Sequence, residues 1–265
     1  MARQHRTIVI GMTASRTVPP VASYGALLRR LQRADGEKRK GERTRDSLLL
    51  AATKLLERGG YPKLRVRDIC QSAHVTTGTF YLYFRNTEAI AVEVLTGFLR
   101  SIFHHAPPAA YDAPRPLFEA LYHANLAWVT AARANAGLMR CVLQLNGHVP
   151  EFHALHERLS AEWFAHVSAS LRRRVRISRS DESAMLLAVH VLGAMMDEVA
   201  RKLFADGVPT LGLLLTELAP SDEALAEFLS TLWYRALFGT DPPRVKHRAS
   251  RRLLRIGTVN AALPV

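Results

Sequence analysis

The spacing of apolar residues constrains this chain most, because almost every apolar segment repeats with the period of an α-helix. Leu48, Ala51, Ala52 and Leu55 share one helical face, and similar patterns recur as far as Phe238. Alternating runs of β-branched and polar residues, which a half-buried strand requires, are missing. The pattern predicts an all-α fold with about nine helices.

Breaks rich in Pro, Gly and Ser divide the predicted helices. The first helices are predicted over 43–60, 66–73, 77–84 and 87–105, where Pro107-Pro108 ends the series. The later helices are longer and are predicted over 116–132, 134–145, 151–175, 181–206 and 222–238. Residues 1–40 show no sustained period, and we expect a mostly disordered extension with one helical turn at 24–32.

Positive charge is concentrated at the two ends of the chain. Residues 1–46 carry a balance of +7 and residues 244–265 a balance of +6, which together make up the formal +13. Basic residues also outnumber acidic ones, six to three, over 47–90. This distribution is typical of a protein with a polyanionic partner, and the alternative is a pair of solvated basic tails.

Several classes of protein are not indicated by the sequence. No apolar run approaches the roughly 18 residues of a membrane span, so we expect no membrane partner. Cys70 and Cys141 lie in apolar helical patterns and are expected to be buried free thiols in a reducing cytosol. A P-loop, a nucleophile elbow, a Rossmann fingerprint and a zinc-protease motif are all missing. We therefore expect neither enzymatic activity nor a cofactor.

The segment RVRDICQSAHVTTGTFYLYF has the form of a helix-turn-helix, in which the second helix enters the major groove of DNA. At about 100° per residue, Phe80 and Phe84 share one face of that helix and are predicted to point inward. The opposite face is centred on Gly78 and Leu82. It carries hydroxyl groups and no acidic side chain, which favours contact with DNA.

The predicted DNA-binding residues have different roles. Phosphate contacts position such a helix, whereas base contacts give it sequence specificity. Thr76 is predicted to cap the helix, and Thr76 and Thr77 lie at its base-facing end. Gly78 allows the backbone to approach closely, Leu82 contacts a thymine methyl group, and Arg67 binds a guanine edge. The residues predicted to contact phosphates are Thr79, Tyr81, Tyr83 and Arg85. The alternative is an ordinary amphipathic helix of a bundle, where Phe at i and i+4 also occurs.

The stretch from Arg43 to Phe98 resembles the DNA-binding head of the tetracycline-repressor (TetR) family. The matching features are the first helix ending in Glu-Arg-Gly, Val66-Arg67-Asp68-Ile69, Ala73-x-Val75, and above all GTFYLYF at 78–84 followed by Glu88. The resemblance implies a cytoplasmic homodimer, usually a repressor that a small ligand releases from a palindromic operator. It also implies a three-helix head joined to a larger helical body.

Three positions depart from the family pattern. Arg65 replaces the usual Thr before the second helix, so that cap is expected to be lost. His74 replaces the usual Gly of the turn and would have to adopt a left-handed conformation. Thr87 replaces a Lys that touches phosphate, and we assign Thr87 a phosphate contact only through its backbone N–H at a helix N-terminus.

The body is predicted to supply a dimer interface and a ligand pocket. The helices over 181–206 and 222–238 resemble the family's dimer pair, although an intramolecular core would show the same apolar pattern. The middle helices mix apolar bulk with scattered polar groups, which favours a largely apolar effector. The candidate pocket residues are Phe118, Leu121, Tyr122, Asn125, Trp128, Leu143, Asn146, Phe152, Trp163, His190 and Met195.

Histidines on the helix over 151–175 raise the alternative of a metal site. His153 and His156 are three residues apart, and Glu162 and His166 are four apart, but no strict metal motif is present. We therefore expect a solvated helix and no metal. The predicted organisation is a disordered basic extension over 1–40, a DNA-binding domain over 41–90, a ligand-binding and dimerisation domain over 91–240, and a basic tail over 241–265.

Overall fold

A computed structural model describes residues 23–34, 39–105, 116–175, 178, 181–205 and 209–259. Within these ranges the chain forms twelve α-helices and no strand, which confirms the all-α prediction. The bounds are α1 Tyr24–Ala34, α2 Lys40–Gly59, α3 Val66–Ala73, α4 Thr77–Tyr81, α5 Thr87–His105, α6 Leu117–Ala134, α7 Ala136–Asn146, α8 Pro150–Arg174, α9 Glu182–Ala200, α10 Pro209–Leu218, α11 Asp222–Phe238 and α12 Arg248–Val259. A π turn over Arg201–Ala205 continues α9.

The helix count exceeds the predicted nine because of three additional elements. Helix α1 forms where a single turn was expected within a disordered extension, and α12 forms within the segment predicted only as a basic tail. Helix α10 lies between the two helices predicted to dimerise. The rest of the predicted extension, residues 1–22 and 35–38, lies outside the described residues.

The first hydrophobic core joins the N-terminal helices to the start of the body. Leu48 and Leu56 of α2, Phe80 of α4 and Phe98 of α5 are all buried in it. Helix α7 adds Leu138 and Leu145, and α8 adds Phe152. Helices α2, α3 and α4 pack together and are here called the head. Helix α5 connects the head to the remaining helices, α6–α12, which are here called the body.

The second core holds the body together around α6 and α11. Leu121 and Val129 of α6 pack with Leu225 and Leu229 of α11, and α8, α9 and α12 add further apolar side chains. The buried amide of Asn125 donates from Nδ2 to Ser230 Oγ over 2.8 Å, which pairs the two central helices through polar groups as well. A buried amide without that partner would destabilise the fold, so the bond also fixes the register of α6 against α11.

Among the residues that the structure describes, one helix is long and apolar enough, by length and composition alone, to cross a membrane. It spans Glu182–Leu203, with a mean hydropathy of 1.4, and only 28 % of its apolar window is buried in the monomer. This differs from the expectation that no apolar segment approaches that length. A core or interface helix of a soluble protein has the same composition, and α9 packs against α8 and α11 within the body.

Candidate DNA-binding interface

The turn between α3 and α4 is closed by backbone hydrogen bonds around His74. This residue has φ 55° and ψ 45°, the left-handed conformation predicted for it. Its N–H donates to the carbonyl of Gln71, and the N–H of Val75 donates to that of Cys70. The Cys70 thiol is buried, which raises its pKa, and it donates to the Thr76 carbonyl. Arg65 precedes α3 and gives no side-chain cap, also as predicted.

Helix α4 is short and is stabilised at both ends. Thr76 caps it as predicted, because its Oγ1 accepts the N–H of Thr79 at 3.2 Å. Phe80 is fully buried and Phe84 nearly so, with ring centroids 5.8 Å apart. Both phenylalanines therefore anchor the segment in the core of the head. The helix ends at Tyr81 rather than at Phe84, so Leu82 and Tyr83 occupy the turn that follows it.

The outer side of α4 is open to solvent. Gly78, Thr76 and Thr77 are exposed, and Tyr81 and Leu82 are 58 % and 81 % exposed. Leu82 buries little apolar surface in the monomer, so it contributes little to the stability of the fold. Its exposed side chain suits an apolar contact with a partner. Arg67, in the first turn of α3, is also exposed.

The remaining predicted phosphate contacts surround this face. Thr79, Tyr83 and Thr87 are half-buried, whereas Arg85 is exposed and lies 3.9 Å from the carboxylate of Glu88. The first turn of α5 is capped by Asn86, whose Oδ1 accepts the N–H of Ala89 at 2.8 Å. Asn86 therefore occupies one donor of the helix N-terminus at which Thr87 was predicted to bind phosphate.

The start of α2 adds basic residues that were not among the predicted site residues. The Tyr83 hydroxyl lies 3.3 Å from the position that a Cβ on Gly41 would occupy, so the first turn of α2 adjoins the segment after α4. Arg39, Lys40 and Arg43 in and beside that turn are exposed. The density of Lys and Arg just before the first predicted helix was the signal that could have identified them.

The structure brings five of the predicted pocket residues into the second core. Leu121 is buried there, and Tyr122, Trp128, Trp163 and Met195 are partly buried against it. Phe118 is buried beside this group, with its ring 5.8 Å from that of Tyr234. These side chains come from α6, α8 and α9.

The other predicted pocket residues have different surroundings. Phe152 belongs to the first core, and Leu143 and His190 are exposed. Asn125 is bonded to Ser230, and Asn146 Oδ1 accepts a hydrogen bond from His153 Nδ1 over 3.2 Å. Burial lowers the pKa of His156. Within the described ranges, no three His, Cys, Asp or Glu side chains meet as a metal site requires.

The two helices predicted to dimerise differ in exposure. Helix α11 is buried from Ala224 to Trp233 except at the half-buried Phe228 and Leu232, and its last turn, over 234–238, is half-buried to exposed. Helix α9 leaves Leu187 and Val191 64 % and 61 % exposed, with Ala194 on the same face. Helix α9 therefore keeps an apolar stripe that the monomer leaves exposed, whereas Phe228 and Leu232 of α11 are covered in part.

Comparison with known proteins gives matches over the head and over most of the chain. Residues 48–94 match the family described as bacterial regulatory proteins, tetR family. The chain is 23 % identical over 231 residues to the HTH-type transcriptional regulator EthR of Mycolicibacterium smegmatis, covering 87 % of this chain and 97 % of that protein.

Solved structures share the fold at low sequence identity. The TetR family transcriptional regulator PfmR from Thermus thermophilus has a TM-score of 0.53 at 22 % identity, covering 71 % of this chain and 97 % of its own. The fatty acid degradation regulator FadR from Bacillus halodurans has a TM-score of 0.54 at 18 % identity, covering 80 % and 100 %. A putative transcriptional regulator from Pseudomonas aeruginosa has a TM-score of 0.58 at 17 % identity, covering 82 % and 96 %. Residues 48–94 therefore match the tetR family of bacterial regulatory proteins, and the chain as a whole has a TetR-like fold with an N-terminal helix-turn-helix.

Proposed function

We propose that this protein is a cytoplasmic repressor that binds a palindromic operator as a homodimer and is released by a small, largely apolar ligand. The observation that carries the proposal is the exposure of Leu82 and Tyr81 on one side of a segment whose other side is anchored by Phe80. A short helix held in this way presents its outer side to a major groove. The proposal includes no catalytic role.

Within this proposal the base contacts come from the middle of the exposed face. Leu82 meets a thymine methyl group, Gly78 allows close backbone approach, and Thr76 and Thr77 lie at the base-facing end. Arg67 donates to a guanine edge through both arms of its guanidinium group.

Phosphate contacts come from the rim of the same surface. Tyr81, Tyr83, Thr79, Arg85 and the backbone N–H of Thr87 hold the register of the helix on the duplex. The exposed Arg39, Lys40 and Arg43 extend this rim, because the first turn of α2 lies beside Tyr83. These cations make the binding dependent on salt.

A homodimer would form through the exposed apolar stripe of α9 together with the half-buried Phe228 and Leu232 of α11. Leu187, Val191 and Ala194 on α9 and Phe228 and Leu232 on α11 give a self-complementary apolar surface when a twofold axis passes beside it. Two heads related by that axis match two half-sites about 34–36 Å apart.

The effector would bind among Leu121, Tyr122, Trp128, Trp163 and Met195, which belong to the second core or pack against it. Aromatic and aliphatic side chains with few polar groups favour an apolar molecule with one or two hydrogen bonds. The fold shared with a fatty acid degradation regulator agrees with this class of ligand. A screen of acyl chains, polyketides and aromatic compounds for thermal stabilisation tests it, and a screen in which only sugars or small polar acids stabilise the protein contradicts it.

The decisive experiment is selection of bound sequences from random duplex DNA, followed by footprinting on the DNA upstream of the protein's own gene. We expect an inverted repeat to emerge.

The alternative function is sequence-nonspecific binding through the basic ends. A protein that lacks residues 1–22 and in which the exposed Arg244, Lys246 and Arg251 are replaced by Gln should keep the same selected repeat, because these changes lower the charge of both ends and leave the described helices in place. Loss of the repeat in this variant would show that the head is not the reader.

A further inference from the structure

Helix α1 contacts both the head and the body, and its first residue makes the contact with the body. The backbone N–H of Tyr24 donates to Asn135 Oδ1 over 2.7 Å. Asn135 is the corner residue between α6 and α7, is only 4 % exposed, and donates from Nδ2 to the carbonyl of Ala131. Both ends of this side-chain amide are therefore used, and the start of α1 is tied to the corner.

The side chain of Tyr24 contacts α5, the helix that joins the head to the body. Its ring lies 5.8 Å from that of the fully buried Phe98. Its hydroxyl oxygen lies 2.1 Å from the position that a Cβ on Gly97 would occupy. Any side chain at Gly97 would have to displace Tyr24, so the tyrosine is seated directly on the backbone of α5.

The first turn of α1 also packs on the end of α2, within the head. Gly25 is buried, and a Cβ placed on it would lie 3.7 Å from the carboxylate of Glu57. Glu57 has its pKa raised by burial, an effect opposed by the charge of Arg29 on α1. Helix α7 packs on the same residue from the other side, because a Cβ on Gly137 would lie 2.1 Å from the Glu57 carbonyl oxygen.

We propose that Tyr24 and Asn135 are positioning residues for DNA binding, and that α1 is a clip that holds the head at one orientation relative to the body. The clip joins the end of α2, Gly97 and the α6–α7 corner, and it adds to the contacts that α7 and the first core already make between the head and the body. This inference rests on the proposed dimeric function, since a fixed orientation matters when two heads must reach two half-sites together. The clip would then set which half-site spacing the dimer accepts.

The test is Gly97→Ala, measured on a series of operators whose half-sites differ in spacing by single base pairs. Each added base pair displaces and rotates one half-site by about a tenth of a turn. The unmodified protein should prefer one spacing by about tenfold or more over its neighbours, as a rigid twofold reader does. In Gly97→Ala the displaced Tyr24 should loosen the orientation of the head on the body, and the preference should fall to about threefold or less.

Two further variants separate positioning from a general loss of stability. Gly147→Ala is the matched control, because a Cβ there meets nothing within 4 Å, and it should keep the spacing preference. The double variant Gly97→Ala/Tyr24→Phe removes the hydroxyl oxygen at 2.1 Å and leaves only the ring carbon at 3.2 Å. It should regain most of the preference.

The outcomes distinguish this inference from the proposed function beneath it. If the unmodified protein selects no inverted repeat, the proposed function fails first. If it selects a repeat, and Gly97→Ala stays folded and weakens binding equally at every spacing, α1 is only a structural support and the clip is overturned. A double variant that recovers thermal stability but not the preference also overturns it.

Discussion

At the scale of single residues, Arg67 and Tyr81 on the exposed face of the head are predicted to have different roles in DNA binding. Both are exposed, but Arg67 lies in the first turn of α3 and Tyr81 at the end of α4. Replacing Arg67 by Ala should cost about 1–3 kcal/mol at one base pair and relax selection there. Tyr81→Ala should weaken binding to operator and random DNA about equally, and Tyr81→Phe, which keeps the ring, isolates the hydroxyl. Titrations with operator, single-mismatch and random duplexes measure the affinity of each variant. Equal losses of affinity on all three duplexes for both alanine variants would contradict the assignment of different roles to Arg67 and Tyr81.

His74 allows a second prediction at this scale. Its left-handed backbone costs an L-residue about 1 kcal/mol, a strain that glycine does not carry. His74→Gly should therefore raise the free energy of unfolding by up to about 1 kcal/mol, measured as a higher urea midpoint with an unchanged slope. His74→Ala keeps a Cβ and is the matched control. Equal stabilisation by Ala would show that backbone strain is not the cause.

The residues of the head were largely predictable, because their roles follow from helical angle and local capping. The inward positions of Phe80 and Phe84, the Thr76 cap and the left-handed His74 all follow from spacing or from family pattern. Asn86 was not identified, although its place three residues before Ala89 is an ordinary capping position. The body was less predictable, since an apolar residue such as Phe152 gives no sign of which of two cores it will join.

At the scale of helices, α12 and the segment before it are held by hydrogen bonds to residues of α11 that lie far from them in the sequence. The buried carboxylate of Glu227 on α11 accepts the backbone N–H groups of Lys246 and His247 at 2.8 and 2.7 Å. Arg235 donates to the carbonyls of Leu253 and Leu254. Local sequence shows only a basic segment here, so docking through residues about twenty positions upstream could not be predicted from it.

Removal of that carboxylate should release the segment before α12. In Glu227→Ala, trypsin cleavage after Arg244 and Lys246 should accelerate by about tenfold or more, because hydrogen bonds to a charged group stabilise by about 1.5–3 kcal/mol. Timed digestion with mass spectrometry of the fragments measures it. Glu119→Ala removes an exposed carboxylate on α6 and should leave the cleavage rate unchanged. Unaltered protection in Glu227→Ala would mean that Arg235 and packing alone hold α12.

At the scale of the whole molecule, the two cores explain why the body was predicted only in outline. Periodicity identifies that α9 and α11 are apolar, but it does not separate an intramolecular face from an intermolecular one. The structure makes that separation for the monomer: α11 buries Leu225, Leu229 and Trp233, whereas α9 leaves Leu187 and Val191 uncovered. Most of α11 is therefore core, and the surface available for a partner lies mainly on α9.

The dimer can be tested on that surface with one charge per chain. Leu187→Glu or Val191→Glu would bury two carboxylates across the twofold axis, at a cost of several kcal/mol for the pair of sites. Light scattering after gel filtration should then give the mass of a single 29.5-kDa chain. Ile256→Glu is the matched control, since Ile256 is 68 % exposed on α12 and is not among the residues assigned to the interface, and this variant should remain dimeric. Operator affinity should fall with the dimer, because one head holds only one half-site. If a variant stays dimeric, the dimer interface must lie on another surface. If a variant is monomeric and keeps full operator affinity, binding does not depend on a twofold dimer that reads a palindromic site.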